Sequence, residues 1–231
     1  VGGADREDGL DPSDPPSETS EQNDQTTVAN DGLMPPVATV SNVTSVDDNG
    51  YSFENGTLTI TTNGGTTAWW SNVSINRTDI TKVVVKDGVT ELRNSVGTGA
   101  FQNCENLAQA ELPSSLKSIG ENAFSGCGKL ALKELPSGLT SIEDAAFTNC
   151  GKLELTELPG GVTSIGSAAF HGCKKLALTG LPEKVTSIEL AAFRDCENLA
   201  LKELPGGVTS IGNRAFSGCG KLALKELPGG V

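Results

Sequence analysis

The 231-residue chain is poor in the side chains on which most enzymes and nucleic-acid-binding proteins depend. It has one histidine, one tyrosine and one methionine, and aromatic residues make up only 4% of it. Carboxylates and lysines are therefore almost the only candidates for general acid–base catalysis, and a metal centre built on histidine ligands is disfavoured. Basic residues are also scarce, at 17 against 29 acidic ones, and the net charge of −12 argues against binding nucleic acid or anionic lipid.

Long apolar runs are missing as well. No stretch approaches the roughly 18 consecutive apolar residues that a membrane-spanning helix needs, so we expect no membrane insertion. The chain does not begin with Met, and we interpret Val1 as a processed, trimmed or fragmentary start. The single histidine, His171, stands at a repeat position that is otherwise polar and variable, so we expect it on the surface without a catalytic role.

Residues 1–38 differ in composition from the rest of the chain. They contain nine acidic residues, one basic residue (Arg6) and five prolines. A segment with so few apolar side chains cannot bury enough surface to offset the entropy lost on ordering. We predict an acidic disordered linker here, which is either a tether that holds a domain away from a cell surface or a solvated tail without a partner.

Residues 39–82 carry the pattern of a small β-rich N-terminal cap. Polar and apolar side chains alternate from Tyr51 to Thr61 around Asn55-Gly56, which predicts a β-hairpin. Trp69 and Trp70 follow a second turn signal. The tryptophan pair has two interpretations: it plugs the open end of a core, which is the commoner arrangement, or its faces stack on a sugar ring.

A repeat of 23 residues dominates the remainder, residues 83–231. Each phenylalanine of the repeat is followed by Cys three positions later, by Leu six positions later and by Leu-Pro eleven and twelve positions later. The phenylalanines are Phe101, Phe124, Phe147, Phe170, Phe193 and Phe216. A period between 20 and 29 residues with fixed leucine positions predicts a leucine-rich-repeat solenoid.

In such a solenoid each coil returns the chain to its start about 4.8 Å further along the axis, so equal repeat positions stack. We predict an α/β superhelix of 23-residue coils that is dominated by β structure. The Leu-x-Leu-x-x-Leu-Pro segment predicts a short strand that ends at the proline. The Val-Thr-Ser-Ile segment predicts a second extended piece, and Ala-Ala-Phe-x-x-Cys predicts one tight helical turn. One coil buries too little to fold alone, so neighbours must stack.

The six cysteines share one repeat position and never form the closely spaced pairs of a zinc site. Stacked coils bring their Cα atoms near enough for disulfides, but equal side chains point in parallel rather than towards each other. We predict a ladder of buried, reduced thiols, with three bridges between neighbouring coils as the alternative. No metal and no cofactor is expected.

Charged residues also stack in rows. Glutamate occupies one repeat position at residues 111, 134, 157, 203 and 226, interrupted by Gly180, and lysine occupies another at residues 129, 152, 175 and 221. These rows form either a solvated, salt-bridged face or a carboxylate ladder that recruits cations or a basic partner. The candidate binding surface comprises Glu134, Glu157, Glu203, Glu226, Lys133, Lys202, Lys225, Trp69 and Trp70.

The segment LPGGVTSIGSAAFHGCKKL (158–176) resembles the BspA-like, or Treponema-type, leucine-rich repeat, and the resemblance recurs six times over about residues 83–231. It implies secreted or surface-anchored, mostly bacterial proteins that bind host proteins, other cells or matrix, and it brings no catalytic residues. One departure is that Lys133 or Thr156 stands where the family has an apolar residue, which shifts a core position to Leu132 or Leu155.

These observations predict a non-enzymatic, adhesin-like protein-binding module that is extracellular or at the cell surface. Its expected partner is a host or neighbouring-cell surface protein or matrix, with a glycan as a further ligand class. The alternatives are an accessory recognition module of a larger secreted enzyme and a structural spacer. Fold alone does not distinguish them.

The last copy stops at Val231, in mid-coil and without the polar capping repeat that usually ends a solenoid. We therefore expect that the chain is a fragment or that another chain covers this end. End-to-end self-association is a further expectation.

Overall fold

The computed structural model describes residues 49–93 and 97–231. The predicted acidic linker, residues 1–38, lies outside these ranges. All described residues belong to one compact unit, Val40–Val231. The cap and the repeats are therefore parts of one compact body.

One hairpin forms the start of the cap. Strand β1 (Tyr51–Glu54) pairs antiparallel with β2 (Thr57–Ile60). The two turn residues, Asn55 and Gly56, have φ values of 49° and 77°, as a turn matched to the strand twist requires. The predicted hairpin is confirmed, and its alternation turns Leu58 and Ile60 into the core, where both are fully buried.

The sheet of the cap continues into the first coil. Strand β3 (Lys82–Val85) lies parallel to β2, and β5 (Gln109–Glu111) lies parallel to β3, so that the sheet order is β1-β2-β3-β5. The predicted boundary between cap and solenoid, at residues 82 and 83, falls inside β3. The hydrogen bonds of one sheet therefore join the cap to the repeats.

A short helix that the sequence analysis did not predict, α1 (Gly65–Trp70), closes the end of the cap, and a 3₁₀ turn follows at Arg77–Asp79. The sequence of α1, GTTAWW, is rich in β-branched and aromatic residues, which have modest helix propensity. The helix instead serves packing, because it carries Trp69 into the core, where that side chain is 1% exposed.

The regular ladder of the solenoid lies at the Ser-Ile pairs. Strand β4 (Glu91–Leu92) and five further two-residue strands pair in parallel, in the orders β4-β6-β7-β8 and β9-β10. The five are β6 (Ser118–Ile119), β7 (Ser141–Ile142), β8 (Ser164–Ile165), β9 (Ser187–Ile188) and β10 (Ser210–Ile211). The prediction of an extended Val-Thr-Ser-Ile segment is confirmed.

The prediction of a strand at every Leu-x-Leu-x-x-Leu segment is wrong. Within the described residues only the first copy, in which Gln109 replaces the second leucine, forms a strand, as β5. Later copies keep a single backbone hydrogen bond to the preceding coil, such as Glu154 N–H to Leu132 O at 3.0 Å. The inward leucines are spaced by two and then three residues, and a spacing of three breaks the two-residue alternation of a strand.

The prediction of a helical turn at Ala-Ala-Phe-x-x-Cys is also wrong. Around Phe147, for example, Ala145 and Asn149 have φ values of 53° and 60°, which a right-handed helix cannot contain. Successive backbone N–H groups instead donate hydrogen bonds alternately to a carbonyl of the next coil and to a carbonyl within the local turn. Phe124 N–H donates to Ala146 O at 2.8 Å, whereas Ser125 N–H donates to Asn122 O at 3.0 Å.

A stack of aromatic rings forms the centre of the core. From Phe124 to Phe216, neighbouring rings have centroids 5.4 to 5.7 Å apart and are tilted by only 3 to 6°. Phe101 continues the stack at 5.2 Å, and Trp69 covers it with a centroid distance of 6.1 Å and a tilt of 14°. The predicted stacking of equal repeat positions is thus observed directly.

The cysteines run beside the rings. All six thiols are free, in agreement with the predicted ladder of unbridged cysteines, and all but Cys219 are buried. The Sγ of Cys127 donates to the carbonyl oxygen of Phe101 at 3.1 Å, and each later cysteine repeats this bond to the preceding coil. Burial raises the pKa of Cys104 and Cys150 to about 12.

Candidate functional site

The outward side chains between the core leucines build one face of the solenoid. Leu132, Leu155 and Leu178 are at most 9% exposed, which confirms the predicted shift of the core position, and the residues between the leucines point to solvent. Across several coils these outward residues line a groove of about 910 Å³. We call it the groove; its lining residues are Lys133, Glu134, Glu154, Thr156, Glu157, Lys175, Ala177, Thr179, Asn198, Ala200 and Lys221.

The groove has short side chains in its middle and long ones at its ends. In two successive coils Thr156 and Thr179 replace the lysine that three other copies carry, and Ala177 and Ala200 lie beside them. Lys133 and Lys221 stand in the outer coils. The volume is near the upper end of the range of 300–1,000 Å³ typical of ligand sites, so the face offers a long recess rather than a flat surface.

Charges on this face are unevenly paired. Lys175 Nζ lies 2.9 Å from Glu154 Oε1, and this hydrogen bond and charge lower the pKa of the Glu154 carboxyl. In the cap, Lys82 Nζ likewise pairs with Glu111 at 2.5 Å. Within residues 49–93 and 97–231, no lysine or arginine lies within ion-pair distance of Glu134, Glu157, Glu203 or Glu226. The predicted salt bridging of the glutamate row is therefore limited to its first member.

A second recess borders the groove. It has a volume of about 530 Å³, and we call it the Leu-Pro hollow; it is lined by Leu112, Ser114, Glu134, Leu135, Pro136, Ser137, Glu157, Leu158, Pro159 and Gly160. Glu134 and Glu157 line both recesses. These two carboxylates therefore stand on a ridge with a polar groove on one side and aliphatic and proline side chains on the other.

The structure brings only part of the predicted surface together. Lys133, Glu134 and Glu157 line the groove, and Glu203 lines a smaller neighbouring recess of about 320 Å³ next to Gly180. The side chains of Lys202, Lys225 and Glu226 are exposed at the same repeat positions in the later coils.

The tryptophans lie elsewhere, in the cap. Trp69 is buried against Phe101 and cannot stack on a sugar, so its place in the predicted surface is corrected: it covers the end of the ring stack. Trp70 is half-buried, packs edge-on against Trp69, and has the Arg77 guanidinium 3.9 Å from its ring centre. Neither ring lines the groove.

Sequence reasoning missed most of the groove lining. Glu154, Lys175, Ala177, Asn198 and Ala200 were not among the candidate residues, although they occupy the outward positions beside the core leucines. The available signal was the alternation of the Leu-x-Leu segment, which places every intervening residue on one face. Thr156 and Thr179 were visible as departures from the lysine of three other copies.

A third recess, of about 340 Å³, follows the Ser-Ile ladder and is lined by Glu121, Glu143, Asp144 and Glu189 among others. Arg93 binds Glu143 through two contacts of 2.8 and 2.9 Å, and the Glu143 hydrogen bond raises the Arg93 pKa. In the part of the chain that the structure describes, no three histidine, cysteine or acidic side chains are grouped so that they could hold a metal ion. His171 is half-buried, with Nε2 3.3 Å from Asp195 Oδ2.

No helix among the described residues is long and apolar enough to cross a membrane. The structure resembles a leucine-rich repeat protein from Bacteroides ovatus, with 30% identity and a TM-score of 0.56 over 67% of this chain and 39% of that one. It also resembles a leucine-rich cell surface protein from Faecalibacterium prausnitzii, with 28% identity and a TM-score of 0.56 over 80% of this chain and 56% of that one.

The chain thus spans less than two thirds of the length of either protein. No curated protein matches it. The family model of the BspA type leucine-rich repeat region matches residues 94–223 in six copies, which is more than half of the chain. These residues carry the ring stack, the cysteine ladder and the groove described above, and the chain therefore belongs to the BspA-type leucine-rich repeat family.

Proposed function

We propose that this chain is a non-enzymatic, adhesin-like protein-binding module and that the groove is its binding face. The observation that carries the proposal is the 910 Å³ recess, which has small side chains in its middle and unpaired carboxylates along one flank. Leucine-rich repeat proteins generally act as non-enzymatic scaffolds, and their repeated coils present extended binding surfaces.

A location outside the cell or at its surface is part of the same proposal. It is supported by the relative from Faecalibacterium prausnitzii, which is described as a cell surface protein. The expected partner is a host or neighbouring-cell surface protein or a matrix protein.

The lining chemistry favours a protein over a glycan. Sugar rings are usually held by aromatic faces, and the lining of the groove and of the Leu-Pro hollow includes no aromatic side chain. Aliphatic, hydroxyl, amide and charged groups lie within reach instead, which suits the mixed side chains and backbone amides of a polypeptide.

The distribution of differences between the coils favours a binding face over a spacer. The core positions are repeated from coil to coil, whereas the Lys-Glu pair of three copies becomes Thr156-Glu157 and then Thr179-Gly180 in the middle of the groove. A solenoid that only separates two domains has no need for small residues at this place.

A binding array tests the proposal. The purified 231-residue chain is presented to extracellular-matrix proteins and glycans at physiological salt, with and without calcium. The variant Thr179→Arg fills the groove with a long side chain. Ser217→Arg is the matched control, because Ser217 is exposed outside the groove at the repeat position that Arg194 occupies in the preceding coil.

We expect a saturable protein hit that Thr179→Arg weakens at least tenfold and that Ser217→Arg leaves within twofold. A protein hit whose affinity neither variant changes would show that the groove is not the binding face. A blank array, with the chain folded by circular dichroism, would overturn the binding function and favour a spacer or an accessory module.

A further inference from the structure

The groove and the Leu-Pro hollow together also indicate the chemistry of the partner. We propose that this face binds an extended polypeptide segment in which lysine or arginine alternates with aliphatic residues. The basic side chains reach Glu134 and Glu157 between the two recesses and Glu203 in the neighbouring recess beside Gly180, and the aliphatic ones enter the Leu-Pro hollow. This inference rests on the proposed function and adds the class of partner to it.

The carboxylates of the row differ in what they contact. Glu111 is paired with Lys82 at 2.5 Å, and Glu154, which lies outside the row, is paired with Lys175 at 2.9 Å. Among the described residues Glu134, Glu157 and Glu203 have no such partner. Equal positions in neighbouring coils are separated by about the ring spacing of 5.5 Å, so adjacent carboxylates repel each other. A cationic side chain placed between them removes that repulsion.

The position of Glu134 and Glu157 between the two recesses favours a polypeptide over a bare cation as the ligand. Glu134 and Glu157 separate the groove from a recess lined by Leu135, Leu158 and neighbouring prolines. A hydrated metal ion gains nothing from the aliphatic side. A segment with a basic side chain next to a leucine or valine can instead neutralise the carboxylates and bury apolar surface in the hollow at the same time.

The dimensions match an extended chain. From the coil of Lys133 to the coil of Lys221 the groove crosses four coil spacings, or about 22 Å, which about seven extended residues cover. Side chains two residues apart on one face of such a segment are about 6.8 Å apart, which exceeds the coil spacing of 5.5 Å by an amount that flexible side chains can bridge. Two basic residues two positions apart can therefore meet Glu134 and Glu157, which stand on successive coils.

The surrounding charges agree with this orientation. Lys133 and Lys221 stand in the outer coils of the groove, and Lys175 between them is paired with Glu154, so Glu134 and Glu157 are the lining carboxylates without a lysine or arginine partner among the described residues. The chain carries a net charge of −12, of which −8 belongs to residues 1–38, and this charge favours the approach of a basic segment from solution.

Gly180 interrupts the row between Glu157 and Glu203 and offers a test by gain of function. A Cβ at this position meets no atom within 4 Å. Gly180→Glu should therefore fold normally and make the row continuous, so that a basic segment gains a contact.

The test uses two fluorescent seven-residue peptides, one with alternating arginine and leucine and one with glutamine in place of each arginine. Anisotropy measures their binding to the full chain and to the triple variant Glu134→Gln/Glu157→Gln/Glu203→Gln. The matched control, Glu54→Gln/Glu105→Gln/Glu121→Gln, removes the same charge from exposed glutamates outside the two recesses.

We expect the arginine peptide to bind and the glutamine peptide to bind at least tenfold more weakly. The ridge variant should lose at least tenfold in affinity, the control less than twofold, and Gly180→Glu should gain about threefold. An equal loss in both triple variants, or an arginine peptide that does not bind, would overturn the inference.

The two proposals fail separately. If Thr179→Arg blocks a partner from the array while the ridge variant binds it unchanged, the groove is a binding face and the basic segment is the wrong partner. If the array is blank and the arginine peptide also fails to bind, both proposals fall.

Discussion

At the scale of single residues, one steric rule explains which amino acids alternate along the solenoid. Two positions after each phenylalanine the backbone is left-handed, and the residue there is Asn, Gly, Asn, Gly, Asp and Gly in successive coils. A Cβ on Gly172 would lie 2.6 Å from the side-chain oxygen of Asn149. The polar side chain of one coil thus occupies the space where the side chain of the next coil would start, so the polar side chain must move aside if both coils carry one.

This rule predicts a large difference between two glycine substitutions. Gly172→Ala forces alanine into a left-handed conformation and against Asn149, and we expect a loss of about 1–3 kcal/mol in the free energy of unfolding. Gly160→Ala should change it by less than about 0.5 kcal/mol, since Gly160 has no neighbour within 4 Å and no positive φ. Urea unfolding measures both.

Adding Asn149→Gly to Gly172→Ala should recover part of the loss, because the contact with the amide oxygen disappears and glycine adopts the left-handed conformation at residue 149 without strain. Equal effects of the two single glycine substitutions would show that the left-handed position does not need glycine.

The buried thiols predict a loss of stability in alkaline solution. Burial raises the pKa of Cys104 and Cys150 to about 12, whereas an unfolded thiol titrates near 8.5. Above about pH 8.5 the unfolded chain loses protons that the folded chain retains, so the free energy of unfolding falls as the pH rises towards 12. Each such thiol contributes up to about 1.4 kcal/mol per pH unit.

Unfolding by urea between pH 7.5 and 10.5 checks this dependence. Cys150→Ala removes one of these thiols, so its stability should fall less steeply with pH than that of the unsubstituted chain. The same slope in both proteins would mean that Cys150 does not titrate differently in the two states.

At the scale of structural elements, both the ring stack and the short parallel strands hold neighbouring coils together. The rings supply apolar contact along the axis, and the two-residue Ser-Ile strands with the alternating bonds around each phenylalanine satisfy the backbone. Helix α1 belongs to the same system, because it places Trp69 on the first ring. The cap therefore protects the N-terminal end of the stack by extending it with a larger ring.

Removal of that ring should be costly. Trp69→Ala empties a position that is 1% exposed, and we expect a loss of about 3–5 kcal/mol in the free energy of unfolding. Trp70→Ala is the matched control at a half-buried neighbour and should cost markedly less. Circular dichroism in urea measures both, and equal losses would contradict the role of Trp69 as the cover of the stack.

At the scale of the whole molecule, the two ends of the solenoid differ in exposure. Trp69 is buried at the start, whereas Phe216, Cys219, Leu222 and Leu224 of the last coil are partly exposed. Leu227 and Val231 are 55% and 51% exposed. Contiguous exposed apolar groups of this kind promote association.

We expect this chain to associate through the last coil at high concentration. Leu227→Lys should reduce the association, because it places a charge in the apolar patch. Leu190→Lys is the control, since Leu190 is 52% exposed in the preceding coil. Sedimentation equilibrium over a range of concentrations compares them, and a chain that stays monomeric throughout would contradict the expectation.

The repeat made much of this architecture predictable. Apolar identity and its 23-residue period determined which side chains lie inside, so the ring stack, the cysteine ladder and the buried Leu132 and Leu155 could be named beforehand. The cap hairpin was equally readable, since Asn55-Gly56 between alternating residues strongly favours one type of turn. The sequence-based prediction of a binding function rested on the family resemblance alone, because no residue pattern in the repeats indicates a particular chemistry.

The tertiary structure decided the backbone path and the groove. Side-chain periodicity does not distinguish a strand from a series of turns with left-handed residues, because both can direct the same residues inward. Backbone hydrogen bonds between coils, such as that from Phe124 N–H to Ala146 O, 22 residues apart, decide between the two. Helix α1 exists because Trp69 packs on a ring 32 positions later. The groove likewise depends on side chains from several coils, such as Thr156, Thr179 and Ala200, which become neighbours only when the coils stack.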